Sequence, residues 1–442
     1  MNAWLPSDWN GRFLSTGNGG LAGCIGYGDM AYTTSYQFAT VGANNGHNGS
    51  SGRPFLNSPE VVEDFAYRSI HTGVVVGKQI TEQFYASPIN HSYYHGCSTG
   101  GRQGMKSAQM FPEDFDGILA GAPAFDWNHL LEWSGWLSTV AGFDNTSETF
   151  VTLPLWNVVN NEVLRQCDAL DGAEDGIIED PDLCQPKFET LLCGPDATNT
   201  SSCLNGAQYD RVVKAFEPLY NASGELIYPR LQPGAHAASA PFFFSGQPFI
   251  FSADWYKYVV YNDPSFDPRT LGQDDFTLLD KLDPYGISTW NDNLSPFKSR
   301  GGKILTYHGL QDFLITSENS ARYYSHLAST MQLPPGSLDE FFRLFRISGM
   351  GRCSGGPGAF DIGQLYVDRP EGVSNKNNNI LEAIVAWVER DEAPEYVEGI
   401  KWNGATANSG EVFRRRHCRY PRRNVYTGSG NGTDEDGWEC VL

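Results

Sequence analysis

An α/β architecture is what this sequence predicts: a largely parallel sheet, helices on both faces and one large insertion. Three observations predict it. Short apolar strands alternate with helical stretches up to residue 123 and again from residue 303, the rhythm of a parallel sheet. Gly96-Cys97-Ser98-Thr99-Gly100 fits G-x-S-x-G at one strand-to-helix junction. Residues 124–295 break the rhythm with many Trp, Phe and Tyr, several N-x-S/T sequons and four cysteines. Together they specify an α/β-hydrolase sheet carrying an inserted lid. At 442 residues the chain exceeds one ordinary core, which suits a division into 1–123, a lid at 124–295, and 296–442.

Arg12 to Ser15 reads as a short strand running into Gly17-Asn18-Gly19-Gly20. Residues 61–86 carry Val62, Phe65, Ile70, Val74, Val75, Ile80 and Phe84 at helical spacing. Ser92-Tyr93-Tyr94 is the next strand, Gly100–Met110 the helix after it, and Asp116–Ala120 another buried strand closed by Gly121-Ala122-Pro123. The pattern returns with a strand at Lys303–Tyr307 ending at His308-Gly309, a helix over 317–329, a strand at Phe342–Ile347 and a helix over 379–390 that stops before Ala393-Pro394. Residues 425–437 read as an irregular tail anchored by cysteines.

Hydrophobic residues at 40% and charged residues at 19% suit a globular protein, and no apolar run is long enough to span a bilayer. The net charge of −21 argues against binding a phosphate backbone, which needs a basic surface. The basic cluster Arg414, Arg415, Arg416, Arg419, Arg422 and Arg423 reads as a solvated or salt-bridged tail, because Asp434, Glu435 and Asp436 follow it.

Nine cysteines occur without C-x-x-C zinc spacing. Cys167/Cys184, Cys193/Cys203 and Cys418/Cys440 are expected to form disulfides in an oxidising compartment. Sequons at Asn48, Asn90, Asn145, Asn199, Asn221, Asn293 and Asn431 point to the same secreted setting. The opening Met1-Asn2-Ala3-Trp4-Leu5-Pro6 is not a signal peptide. With an odd cysteine count, the expectation is a natural N-terminus lost together with the partner of Cys24; a free buried thiol is the alternative.

The spacing at Ser98 has a mechanical reason. A nucleophile on a sharp strand-to-helix turn needs small flanking residues so that the turn can close. Its oxygen then stands above the sheet, with the N-terminus of the next helix aimed at it. A glycine-rich turn can hold a bystander serine, but here a strand precedes, Gly101-Arg102-Gln103-Gly104 opens a helix, and a buried strand follows. The oxyanion of acyl transfer needs two backbone N–H donors. Thr99 is expected to supply one, and the Gly17–Gly20 loop the other, from Gly20 first and Gly19 second. Asp312 follows the later strand in the chain order expected of the triad acid, with His308 as its structural neighbour.

The segments Trp9-Asn10-Gly11-Arg12-Phe13-Leu14, Gly17-Asn18-Gly19-Gly20, Gly96-Cys97-Ser98-Thr99-Gly100-Gly101-Arg102-Gln103 and Phe115 through Pro123 resemble the tannase and feruloyl esterase family. So do Gly349-Met350-Gly351 with Cys353, and Ala386-Trp387-Val388-Glu389. The resemblance covers nearly the whole chain. It implies a disulfide from Cys97 to Cys353 that clamps the nucleophile loop to the base loop. It implies a carboxylic ester hydrolase acting on hydroxycinnamoyl or galloyl esters, small aromatic esters such as those attached to plant polysaccharide or tannin. The lid aromatics Trp127, Trp133, Trp136, Phe242 and Phe243 read as core and are not assigned to the pocket.

The family has His immediately before the second cysteine; this sequence has Arg352. A guanidinium has five donors and no acceptor, so it cannot take the serine proton. Losing the base of a serine triad can cost on the order of a million-fold in turnover. Three readings stand. The chain is a weakened or inactive relative, Arg352 is an isolated variant (His and Arg codons can differ by one base), or His308 or His95 substitutes as base. A non-catalytic binder of phenolic esters or cell-wall material is the alternative function.

Residues 167–177, CDALDGAEDGI, concentrate carboxylates in a glycine-broken loop whose spacing is not that of an EF-hand. The resemblance implies a structural calcium site here, with the side chains of Asp168, Asp171 and Asp175 and the carbonyls of Ala173 and Ile177 as ligands.

Overall fold

The computed structural model describes the chain except residues 291–292, 335, 366–373 and 405–406. The central sheet is built from β1 (Asn2–Trp4), β2 (Arg12–Thr16), β3 (Ala39–Gly42), β4 (His91–Cys97) and β5 (Gly117–Gly121). A small hairpin, β6 (Leu219–Tyr220) with β7 (Leu226–Tyr228), lies in the insertion; β8 (Lys303–Gly309) and β9 (Phe342–Ile347) then complete the sheet. The seven strands run β1-β3-β2-β4-β5-β8-β9, parallel throughout except for β1, which pairs antiparallel with β3. The α/β-hydrolase sheet predicted from sequence is therefore present. Sequence reasoning missed the edge strand β1, its neighbour β3, and the helix Tyr27–Ser35 between β2 and β3.

The pleat divides the strand residues between two cores, as a period of two requires. Phe13, Tyr94, Ile118, Ile304 and Leu344 point to one face; Leu14, Tyr93, Leu119, Leu305 and Phe345 point to the other. Helices Ser69–Tyr85 and Thr99–Met110 cover the first face, and helix Ile380–Arg390 covers the second through Ile380, Ile384 and Trp387. The predicted helix over 61–86 starts at Pro59, favourable at a first turn, and contains one π-turn at Asp64–Arg68. Its buried stripe is Ile70, Gly73, Val74, Gly77 and Thr81, whereas Val75, Ile80 and Phe84 are exposed. The glycines bring this helix against β3: a Cβ on Gly77 meets Val41 Cγ1 at 2.6 Å.

The excursion between β5 and β8 folds mainly into helices, among them Trp127–Ala141, Leu153–Cys167, Gly206–Ala215 and Gln273–Leu282. Trp133, Trp156, Val159, Phe243 and Trp255 form its centre. That core continues into Phe55, Val62 and Phe65 from before the elbow and into Leu314 and Ile315 after β8. The insertion is thus seated over the carboxyl end of β8. Trp133 and Phe243 are core, as read from sequence; Trp136 is partly buried and Phe242 is exposed, stacked on Phe313.

Two expectations for the C-terminus are corrected. The arginine cluster is salt-bridged, as one of its two readings had it, but it is not a tail: Arg414, Arg415 and Arg416 lie in a strand, β11 (Glu411–Cys418), antiparallel to β10 (Tyr396–Trp402). Arg415 is fully buried there, bonded to Asp175 Oδ2 at 2.6 Å and Glu179 Oε2 at 3.1 Å. Nor are residues 425–437 simply irregular. They run from β12 (Arg423–Tyr426) to β13 (Trp438–Val441), which pair antiparallel, and the Cys418–Cys440 disulfide joins this ribbon to β11. Cys167–Cys184 and Cys193–Cys203 are also bonded; Cys24 is free and exposed rather than buried.

The helix after β4 packs so closely that a Cβ on Gly104 meets Tyr94 Cδ1 at 2.6 Å and Ile118 Cγ2 at 3.0 Å. Gly104→Val is expected to lower unfolding free energy by about 1–3 kcal/mol through overpacking, measured by denaturant unfolding. Unchanged stability would contradict this packing.

Candidate active site

β4 ends at Cys97, and the chain turns at Ser98 directly into helix Thr99–Met110. Ser98 has φ +64° and ψ −118°, a backbone state costly for any residue with a Cβ. The turn is held on both sides. Ser98 N donates to Gly121 O at 2.8 Å, while Ser98 O accepts from Arg102 N at 3.0 Å and Ala124 N at 3.2 Å. There is no room for side chains around it: a Cβ on Gly96 meets Gly100 C at 2.8 Å, and one on Gly100 meets Asn18 O at 3.0 Å. This is the physical content of the G-x-S-x-G spacing.

Residues Gly17–Gly20 lie against the start of the same helix. Asn18 N donates to Gln103 Oε1 at 3.0 Å, and Thr99 Oγ1 donates to Gly20 O at 2.8 Å. Gln103 also donates to Asn45 Oδ1 at 2.9 Å, tying a third segment to the loop. Thr99 is the first helical residue, so its N–H has no acceptor within the helix. Gly20 has φ +57°, and a Cβ there would meet Phe251 at 2.7 Å. Ser98, Thr99 and Gly20 line one cavity; Gly19 lines the adjoining one with Ser98. The expected oxyanion groups are therefore gathered at the elbow, with Gly20 nearer the enclosed side.

Asp312 follows β8 and is fully buried. Its Oδ1 accepts from Leu314 N at 2.8 Å and Ile315 N at 3.0 Å. Its Oδ2 lies 3.1 Å from His308 Nε2. His308 is thus the neighbour of the acid read from sequence. Its Nε2 also lies 3.0 Å from Ile315 O and its Nδ1 2.7 Å from Ser320 Oγ, so both ring nitrogens are engaged away from Ser98. His95 is buried in β4 against Tyr32, and burial lowers its pKa. Neither histidine is presented to the serine as a substitute base.

Arg352 is the group that meets Ser98: its Nη2 donates to Ser98 Oγ. Burial lowers its pKa, and the charge of Asp312 opposes that shift. Its Nε has no hydrogen-bond partner. The Cys97–Cys353 disulfide, with Cα atoms 6.4 Å apart, holds the adjacent residues of the two loops together. The structure thus places Arg352 against Ser98, with Asp312 near enough for its charge to act on the guanidinium.

It missed the walls. An apolar slot beside Ser98 is lined by Trp127, Leu130, Leu131, Phe249, Phe251, Leu314 and Ile315. Trp127, left unassigned as core, belongs to this slot as well as to the insertion core. The spacing of Trp127, Leu130 and Leu131 marks one helix face, but which cavity that face borders is set by how the insertion docks.

In the acidic loop, Asp168 accepts from Gly176 N at 3.0 Å, Asp171 from Ala173 N at 2.9 Å and Asp175 from Ile177 N at 3.0 Å. Burial pushes the Asp171 carboxyl up to about 7 and raises Asp168 as well. Gly172 and Gly176 turn the loop at φ +97° and +79°.

The parallel sheet and the serine elbow at the end of β4 define the chain as an α/β-hydrolase. It belongs to the tannase and feruloyl esterase family: the profile described as "Tannase and feruloyl esterase" matches residues 1–441. "Probable feruloyl esterase B-2" of Aspergillus terreus is 54% identical over 442 residues, covering 100% of this chain and 83% of that one. The crystal structure of feruloyl esterase B from Aspergillus oryzae superposes with a TM-score of 0.95 at 52% identity, covering 99% of this chain and 87% of that one. The tannin acyl hydrolase of Aspergillus niger, 23% identical with a TM-score of 0.79, shares the fold, covering 100% of this chain and 82% of that one.

Because Cys97–Cys353 closes a loop of sequence separation 256, replacing both cysteines by alanine is expected to cost about 2–5 kcal/mol of unfolding free energy. Denaturant titration of the oxidised parent and the double variant measures it; coincident curves would show that the clamp adds nothing.

Proposed function

We propose that this chain is a secreted carboxylic ester hydrolase for phenolic esters, with Ser98 as nucleophile and with turnover held down by Arg352. One observation carries the reading: an intact elbow and a buried, oriented Asp312 surround a guanidinium that donates to Ser98 Oγ.

In acyl transfer, Ser98 Oγ attacks the ester carbonyl carbon, and the carbonyl electrons move to oxygen as an oxyanion. The N–H groups of Thr99 and Gly20 would receive that charge. The alcohol then leaves, and water releases the acid from the acyl-serine. The serine proton needs an acceptor as the bond forms. Arg352 has none, so the proton must pass to solvent water or hydroxide, without a positioned base. A partner that only donates also opposes the needed direction of transfer. The slot of Trp127, Leu130, Leu131, Phe249 and Phe251 has the apolar, aromatic character suited to a phenolic acyl ring.

The name of the Aspergillus relatives favours feruloyl over galloyl esters. Secretion is supported by four disulfides and by the sequon asparagines, all exposed except the partly buried Asn221. Among the described residues no helix is long and apolar enough to cross a membrane. Binding without turnover, to phenolic esters or cell-wall material, is the second reading, favoured by the same Arg352 contact.

The acidic loop suits a structural calcium ion. Its donors are the side chains of Asp168, Asp171 and Asp175 and the carbonyls of Ala173 and Ile177, all hard oxygens. The fit rests on carboxylates gathered at one turn, of which Asp171 is buried and faces two further acids, Glu179 and Asp175, as repulsive neighbours. Arg415 bonds Oδ2 of Asp175 and Ile177 N bonds Oδ1, so a cation would share these oxygens through their remaining lone pairs.

Hydrolysis of methyl ferulate, methyl gallate and p-nitrophenyl acetate is expected to be slow or absent as the chain stands. Arg352→His is expected to raise kcat/KM by several orders of magnitude, and Ser98→Ala in that background to remove the gain. Full activity with Arg352 in place would refute the proposal. Fluorophosphonate labelling of Ser98 with turnover favours the hydrolase; ligand binding with neither favours the binder.

Calcium at a hundredfold excess over its Kd is expected to stabilise the fold by about 2.7 kcal/mol, and Asp171→Asn to weaken that effect. A melting temperature unmoved by EGTA would remove the calcium site.

A further inference from the structure

Helix Trp127–Ala141 turns its Trp127, Leu130 and Leu131 toward the slot beside Ser98. His129 and Glu132 leave the same helix one turn apart and meet Asp280 of the neighbouring helix Gln273–Leu282. Candidate ligand atoms of His129, Glu132 and Asp280 lie within 4.8 Å of one another. Nothing in the proposed ester chemistry uses them.

The arrangement is more than a group of acids. Glu132 is fully buried, and no N–H or hydroxyl donor reaches its carboxylate oxygens; its near neighbour is a second carboxylate, that of Asp280. Two carboxylates meeting away from water, without donors, need a proton or a cation between them. His129 Nδ1 lies 2.8 Å from Asp126 Oδ2, while its Nε2 faces Asp280 Oδ1 at 3.2 Å. Asp126 stands at the N-cap of the helix but makes no capping bond; its carboxylate is turned to the imidazole instead. A carboxylate on one ring nitrogen, with the other ring nitrogen facing further ligands, is the arrangement found around metal-bound histidines. The 3.2 Å separation also matches the edge of a tetrahedron whose bonds are about 2.0 Å long, as for zinc with N and O ligands.

We propose that His129, Glu132 and Asp280 form a divalent-cation site of the zinc type, with Asp126 orienting the imidazole. Two oxygen donors and one nitrogen suit Zn2+ with water in the fourth position; calcium would require six to eight oxygens. Asp280 is the exposed member and provides the entry path, while Glu132 is the buried one. Bridging two helices, the ion would brace the wall that carries Trp127, Leu130 and Leu131.

The test is a Zn2+ titration of the full chain against a competing chromophoric chelator, with calcium saturating and Cys24→Ser to remove the exposed thiol. One zinc per chain is expected. Asp280→Asn and Glu132→Gln are each expected to weaken binding at least tenfold, and Asp126→Asn about 10–100-fold. Co2+ is expected to give tetrahedral d–d absorption bands that Asp280→Asn abolishes. Asp280 is exposed, so that variant decides the matter if Glu132→Gln fails to fold by circular dichroism. No zinc binding at micromolar concentration, or equal affinity in the parent and Asp280→Asn, would overturn the proposal. Neither readout depends on ester hydrolysis.

Discussion

The whole arrangement depends on the backbone of Ser98 being held at φ +64°. A residue with a Cβ in such a state costs of order 1–3 kcal/mol, so the surroundings must over-determine it. They do so with a sheet bond from Ser98 N, two bonds to Ser98 O, and glycines that let β2, β4, β5 and the elbow helix approach to contact. Arg102, buried one turn into that helix, adds a fixed point by donating to Phe65 O at 2.9 Å and Ala66 O at 2.8 Å. Gln103 and Thr99 then fix the Gly17–Gly20 loop against the elbow. One strained residue thereby sets the positions of the hydroxyl, the helix N-terminus and the facing loop together.

In the proposed mechanism, position 352 decides what the serine can do. Asp312 does not need a histidine at position 352 to be satisfied, because two backbone amides and His308 already hold it. The frame therefore survives the substitution, and the acid stays oriented toward a site where a neutral imidazole would gain a proton. A guanidinium starts out charged there. It gains the attraction of Asp312 permanently, whereas an imidazole gains it only as the serine proton arrives. Catalysis requires interactions that strengthen in the transition state, and an attraction that is always present is spent in the ground state. Structure and reactivity separate at this residue: the disulfide that brings Arg352 to Ser98 is the same one that would position a base.

How much of this was legible in the sequence follows from where the information resides. The elbow is local, so five consecutive residues and their flanks revealed it. Asp312 and the Lys303–Gly309 strand were legible because an apolar run with a fixed period ends at a polar turn. Cys97–Cys353 and the position of Arg352 came from family resemblance, since pairing across the whole chain leaves no local trace. The slot walls were not legible: Trp127 packs on Phe65 and Trp255 as a core residue does, and also borders the cavity. Arg415 was misjudged for a related reason. Its partners Asp175 and Glu179 lie far earlier in the chain, so its neighbours in sequence suggested a solvated or salt-bridged tail and not a buried strand.

That last contact shows how the insertion is joined to the rest. Arg415 in β11 reaches Asp175 and Glu179, and Asn424 in β12 donates to Glu179 Oε1 at 2.7 Å. Gly172 lies so near Tyr426 that a Cβ would meet its carbonyl oxygen at 2.4 Å. The acidic loop is therefore closed at its base by Cys167–Cys184 and packed from outside by strands tied together through Cys418–Cys440. Arg415 supplies one positive charge to a turn that carries several carboxylates, and Asp171 still feels Glu179 and Asp175 as like charges. One guanidinium thus leaves the turn with negative charge in excess. A second cation there would complete the neutralisation and stiffen the seam between the last strands and the insertion that forms the slot.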